Sequence, residues 1–281
     1  MGIVFGLAAA LLYGGSDFGG GLLSRRLGSL PVNVVGSGVA AVLAWGALFA
    51  LGGPGPSLHA IAWGLAAGLG GGAGTLILYR GLARGQMSVV GPVSAVASAG
   101  VPVTAGLALG ERPSLLAMAG VLVALPAIVL VAASGSVRGR LGGGLADGLA
   151  AGAAFGLMFI GLAQAGSGSS GSGAGLWPVA AEQTGSLLLV LAVAIRARVP
   201  LRPVLRAAAG PALVGASGMA ATLLYFVATH FAMLATAAVL VSLYPGVTVL
   251  LARTVLHERF TAVQRAGLGL CTLAVVAIAL N

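Results

Sequence analysis

The chain has 281 residues, of which 59% are hydrophobic and 7% charged, and its mean hydropathy is +1.09. A soluble domain is about 25% charged, and a core of this size cannot hide so much apolar surface from water, so the solvent for this chain is lipid. The net charge of +9 comes from arginines set singly and in pairs between apolar runs, with no lysine; without a basic helix or an aromatic-interleaved patch, nucleic acid is excluded as a partner.

A spanning helix needs about 20 mostly apolar residues. Turn signals and charges divide the chain into ten such pieces: 2–24, 32–52, 60–80, 87–109, 114–134, 145–165, 176–196, 208–230, 236–256 and 262–280. The first lacks a basic leader and a cleavage site, so it reads as a retained helix. It ends at "SRRLGSLP", and the second ends at "GGPGPS". "RGLARGQ" follows the third span, "GERPS" the fourth and "SGSVRGRLGGG" the fifth. "GSGSSGSGAG" separates the sixth and seventh, "RARVPLRPVLR" follows the seventh, "HFAMLAT" the eighth and "HERFT" the ninth. Cys271 stands alone, which excludes an internal disulfide and a cysteine-built metal site. His59, His230 and His257 lie at span ends without metal spacing, and no catalytic or phosphate-binding motif occurs. No cofactor is expected.

The chain repeats itself. A shift of 147 carries residues 70–114 onto 217–261 without a gap, placing Glu111 on Glu258, Arg112 on Arg259 and Thr75 on Thr222. "GLAAALLYG" at 6–14 resembles "GLAAGAAFG" at 148–156, and Pro31 and Pro178 open the second and seventh spans. The expected fold is all-α and integral to the membrane, with ten transmembrane helices as two inverted five-helix repeats. The first repeat covers 1–136, a connecting loop 137–144 and the second repeat 145–281. An odd number of spans per half requires the inversion. The loop charges agree: equivalent loops have opposite character, and with ten spans only Arg112 stands apart from the other arginines. The positive-inside rule makes the arginine side cytoplasmic and puts both termini outside.

Inverted five-helix repeats around a midplane site are an architecture of secondary transporters. The 5+5 organisation, "GERPS" and "HERFT", "YRGLARGQMSVVGPVSA" and "SLYPGVTVLLARTVLHERFT" resemble the EamA-like branch of the drug/metabolite transporter superfamily. The resemblance covers nearly the whole chain and says little of substrate. It implies export or exchange of small metabolites by alternating access, and a cavity lined chiefly by spans one, three, four, six, eight and nine. It also implies termini in the cytoplasm, where the charges argue the reverse. Small multidrug-resistance relatives carry a proton-binding glutamate in their first helix; its equivalent here is Tyr13, one turn from Asp17.

Among the polar residues, Tyr13 and Asp17 share a helix face that Gly6, Ala10 and Gly20 extend. Asp17 admits two readings, a packing carboxylate with an arginine or hydroxyl partner, or a proton or cation site facing a cavity. Glu182 lies two turns into the seventh span; it is a structural partner if that span is peripheral, or a second coupling group. Asp147 reads as a structural carboxylate favouring a helix N-terminus, and Glu111 and Glu258 as interfacial ion pairs or loop caps. The substrate-binding set is Tyr13, Asp17, Thr75, Tyr79, Ser94, Ser98, Thr222, Tyr225 and Tyr244. Pro92, Pro102 and Pro245 each free a backbone carbonyl, which a cavity can repair.

The expected function is secondary active transport of small metabolites in the cytoplasmic (inner) membrane, with proton coupling through Asp17 as one route. The partners are a small-molecule substrate, protons and the lipid bilayer, and the chain is a monomer or a weak homodimer. A membrane scaffold or receptor and a membrane-embedded enzyme are the competing classes; the enzyme would need a catalytic cluster that the sequence lacks.

Overall fold

The computed structural model describes residues 1–53, 55–84, 87–112, 114–132, 141–167, 175–256 and 261–279. These residues form twelve helices and no strand: α1 (Gly2–Leu27), α2 (Ser29–Leu51), α3 (Leu58–Ala83), α4 (Met87–Ala108), α5 (Leu115–Ala132), α6 (Leu141–Ser167), α7 (Trp177–Arg196), α8 (Arg202–Arg206), α9 (Ala209–Thr229), α10 (Leu234–Val241), α11 (Tyr244–Leu256) and α12 (Ala262–Ala279). Six of them, α1, α2, α3, α6, α7 and α9, contain stretches long and apolar enough to cross a membrane. Shorter apolar helical stretches occupy Val93–Ala108, Met118–Ala127 and Leu234–Thr248. Large apolar side chains such as Val42, Phe49, Leu115 and Ile195 are exposed, as lipid-facing residues are.

Three local features differ from the expected segmentation. The "SRRLGSLP" break contracts to Gly28 alone, whose φ of 86° turns the chain directly from α1 into α2. Pro31 then lies in the first turn of α2, where its missing N–H leaves no intrahelical bond unmade. The "RARVPLRPVLR" loop folds into the single-turn helix α8. The ninth span is not continuous: α10 ends at Val241 and α11 starts at Tyr244. Pro245 has no N–H for the carbonyl four residues back, so the helix breaks there.

Glycine sets how closely the helices approach. Gly68 of α3 lies against the backbone of Glu182 and Ser186 in α7, and Gly185 of α7 lies against Leu65 and Gly68. Gly36 of α2 meets Gly215 of α9 in the same way. Without Cβ atoms, these backbones touch directly, a common device in membranes. α3 also packs along α6, α4 along α6, α1 along α9, and α5 along α12.

Glu111 follows the turn that ends α4. Its two carboxylate oxygens accept hydrogen bonds from the Leu234 and Ala235 amides, at 2.6 and 3.1 Å, so it caps the start of α10. This is the loop-cap reading; Glu258 lies outside the described residues. Glu111→Ala is expected to destabilise the protein by about 1–2 kcal/mol, the usual worth of a helix cap, with Glu111→Gln in between. Faster hydrogen exchange at Leu234 and Ala235 would report the loss; unchanged exchange there would refute the role.

Candidate binding cavity

A cavity of about 810 Å³, mouth included, lies among α1, α2, α3, α4, α6, α7, α9 and α11. The α1 face read from the sequence does point into it, with Tyr13 and Asp17 both on its wall. Gly20 keeps the α1 backbone clear of the Tyr79 ring, where any Cβ would collide. Tyr79 thus reaches across to donate to the Ser16 carbonyl at 3.4 Å, while Ser16 donates to the Val214 carbonyl at 3.0 Å.

A second group ties three helices together at Thr222. The Tyr13 and Thr222 hydroxyls lie 2.8 Å apart, and Gln183 Nε2 approaches the same threonine oxygen at 3.4 Å. Thr222 donates back to the Gly218 carbonyl, which leaves Tyr13 as the donor in their contact. A third group sits at the helix break. Ser98 Oγ lies 3.2 Å from Ser242 Oγ, and Ser94 Oγ lies 2.9 Å from the Tyr244 hydroxyl.

Of the residues chosen from the sequence, Tyr13, Asp17, Thr75, Tyr79, Ser98, Thr222, Tyr244 and Glu182 line this cavity. Ser94 and Tyr225 stand behind it. Ser94 is fully buried against Tyr244, and Tyr225 is fully buried with its hydroxyl donating to the Phe159 carbonyl at 3.0 Å. Its ring lies 4.6 Å from that of Phe159, which faces the cavity. Tyr225→Phe should therefore lower thermal stability by about 1 kcal/mol while changing ligand affinity by less than about threefold; the reverse pattern, full stability with lost binding, would place Tyr225 on the wall.

The seventh helix is not peripheral here. α7 packs along both α3 and α2, and it presents Glu182, Gln183 and Ser186 to the cavity. Glu182 is 2% exposed, and its Oε2 has no hydrogen-bond partner among the described residues. α2 adds Asn33 and Ser37. Ser16, Asn33, Ser37, Gln183 and Ser186 were absent from the sequence-based set. Asp147 is not at a helix start, since α6 begins at Leu141; it pairs with Arg80 at 2.6 Å and Arg84 at 3.5 Å at the end of α3. No group of histidine, cysteine or carboxylate side chains among the described residues could hold a metal ion.

A bundle of apolar helices around a polar, carboxylate-bearing cavity defines a multi-pass membrane protein with an internal cavity. Residues 1–133 match the EamA-like transporter family, so the resemblance to the drug/metabolite transporter superfamily holds. The family is one of membrane transporters of small molecules and not of enzymes. No curated protein matches the chain. One solved structure, described only as a crystal structure of a protein, aligns over 99% of this chain and 96% of its own with a TM-score of 0.74 and 14% identity. At that identity the likeness speaks for the fold alone.

Proposed function

We propose that the chain is a secondary active transporter of the cytoplasmic (inner) membrane that exports or exchanges small metabolites by alternating access. The observation that carries this reading is a cavity whose walls come from both halves of the chain and hold two carboxylates, on α1 and α7, two of the helices long and apolar enough to cross a membrane. In the proposed topology α10 and α11 together form one interrupted crossing and α8 stays at the surface, which makes ten crossings in two inverted sets of five. The packing supports this. α3 lies on α6 and α7, and its counterpart α9 lies on α1 and α2. α4 lies on α6 as α10 and α11 lie on α1, while α5–α12 and α2–α7 are the pairs such symmetry maps onto themselves. The shift of 147 also relates Gly68 to Gly215, each in backbone contact with a neighbouring helix.

In this reading Tyr13, Asp17, Thr75, Tyr79, Ser98, Thr222 and Tyr244 meet the substrate, and Asp17 and Glu182 are the groups able to couple it to protons. Ser94 and Tyr225 hold Tyr244 and Phe159 in place. The test is efflux of metabolites from cells overproducing the protein, followed by counterflow in proteoliposomes. Accumulation against a gradient of unlabelled substrate establishes transport; saturable binding without flux would make the chain a receptor.

The arginine partition predicts that both termini face away from the cytoplasm. A phosphatase fused after Asn281 is expected to be active and a fluorescent reporter there dark. Fluorescence at that terminus, with phosphatase activity in the "RARVPLRPVLR" loop, would reverse the orientation; termini on opposite faces would remove the ten-crossing topology.

A further inference from the structure

The substrate class can be read from which hydrogen-bonding roles the cavity leaves open. An anionic or zwitterionic ligand needs positive charge or free donors for its carboxylate or phosphate. No arginine, lysine or histidine is among the described residues that line the cavity. Apart from Ser186, its hydroxyl donors are turned to the protein's own oxygens, among them Tyr79 to Ser16, Ser16 to Val214, Thr75 to Gly72, Ser37 to Asn33 and Thr222 to Gly218. Each of the two side-chain amides has one N–H engaged, Asn33 with the Ser29 carbonyl and Gln183 with Thr222.

Beside these few neutral donors, what remains open is the acceptor capacity of two carboxylates. Asp17 and Glu182 both face the cavity, and Glu182 Oε2 is buried without a partner among the described residues. A buried carboxylate oxygen in that state is matched by a ligand that brings hydrogen-bond donors or positive charge. The wall also carries aromatic and thioether surface, from Tyr13, Tyr79, Phe155, Phe159, Met158 and Met219. Aromatic faces attract cations, and methionine adapts to varied apolar shapes.

We infer that the cavity takes an organic cation, an amine or quaternary ammonium on an apolar body, held between Asp17 and Glu182 against the aromatic wall. This rests on the reading of the cavity as a transport site and narrows its substrate.

Binding is measured by isothermal titration on the purified full chain in lipid nanodiscs. The cationic probes are tetramethylammonium, 1-methyl-4-phenylpyridinium and 1,4-diaminobutane; phenylalanine serves as the zwitterion and biphenyl-4-carboxylate as the anion. At least one cation is expected to bind, with the zwitterion and the anion weaker by about tenfold or more. Glu182→Gln and Asp17→Asn should each weaken the cation by about tenfold, with monodispersity and thermal unfolding confirming that the variants fold. Because the probe panel on the unaltered chain decides by itself, a misfolded variant does not rescue the inference. Equal or tighter binding of the zwitterion or anion, or no bound cation, overturns it, as does undiminished cation binding in the folded double variant. Flux separates the two readings: zwitterion flux without cation flux keeps the transporter and removes the cation, whereas cation binding without flux of any probe keeps the cation and removes the transporter.

Discussion

Gly68→Ala is expected to disrupt the protein although it adds a single methyl group. A Cβ at that position would overlap the Glu182 carbonyl and lie 2.7 Å from the Ser186 nitrogen. Both obstacles are backbone, so no rotamer change relieves them; α7 must move as a unit. Overpacking of this kind costs about 3 kcal/mol or more. Because α7 carries Glu182, Gln183 and Ser186 on the cavity wall, ligand binding should fall with stability. Gly38→Ala is the matched control: its Cβ would meet nothing within 4 Å, so the better helix former should leave stability unchanged or raise it by about 0.5–1 kcal/mol. Thermal unfolding in detergent compares the two. Equal behaviour would show that the α3–α7 contact is looser than the packing implies.

Asp17→Asn should abolish coupling while leaving the fold intact. The carboxylate is half-buried on the cavity wall beside the Tyr13 and Tyr79 faces, and the amide keeps its size but cannot carry a proton. In proteoliposomes, flux driven by a proton gradient is expected to fall by about tenfold or more, and the residual flux should no longer depend on pH. Glu182 faces the same cavity, so the double variant Asp17→Asn/Glu182→Gln tests whether any remaining pH dependence resides there. An unchanged pH profile in Asp17→Asn would remove Asp17 from coupling, and an aggregated variant would return it to a packing role.

Some of this was legible in the sequence and some was not, for separable reasons. Hydropathy marks lipid-facing length well, so most helices fall where apolar runs and turn residues place them. The Tyr13–Asp17 face was legible because spacing on one helix decides it. Which side of α2 and α7 turns inward was not. α2 is apolar nearly all round, and in α7 the polar run Glu182, Gln183, Thr184 and Ser186 covers more than one face, so neither pattern alone orients its helix. Asn33, Ser37, Gln183 and Ser186 therefore carried no mark of their place on the cavity wall. Ser94 and Tyr225 stand behind the wall, which the sequence does not show, because a hydroxyl on the right helix looks the same whether it faces a cavity or a neighbouring residue. The break between α10 and α11 had a visible cause in Pro245, yet a proline inside an apolar run is often absorbed, as Pro126 is within α5.

The interruption at Ser242–Leu243 gives one wall of the cavity a joint with its own latch. Two serines of α4 fasten it: Ser98 to Ser242 within the break, and Ser94 to Tyr244 at the start of α11. Changing the angle between α10 and α11 strains few backbone bonds, because the helical ladder is already interrupted there. It does strain these two hydroxyl contacts, each worth roughly 1 kcal/mol. If the cavity opened as the proposed alternating access requires, water could replace such bonds almost without loss. In the proposed transport cycle the two contacts would hold the angle between α10 and α11 while water is excluded and release it once water enters.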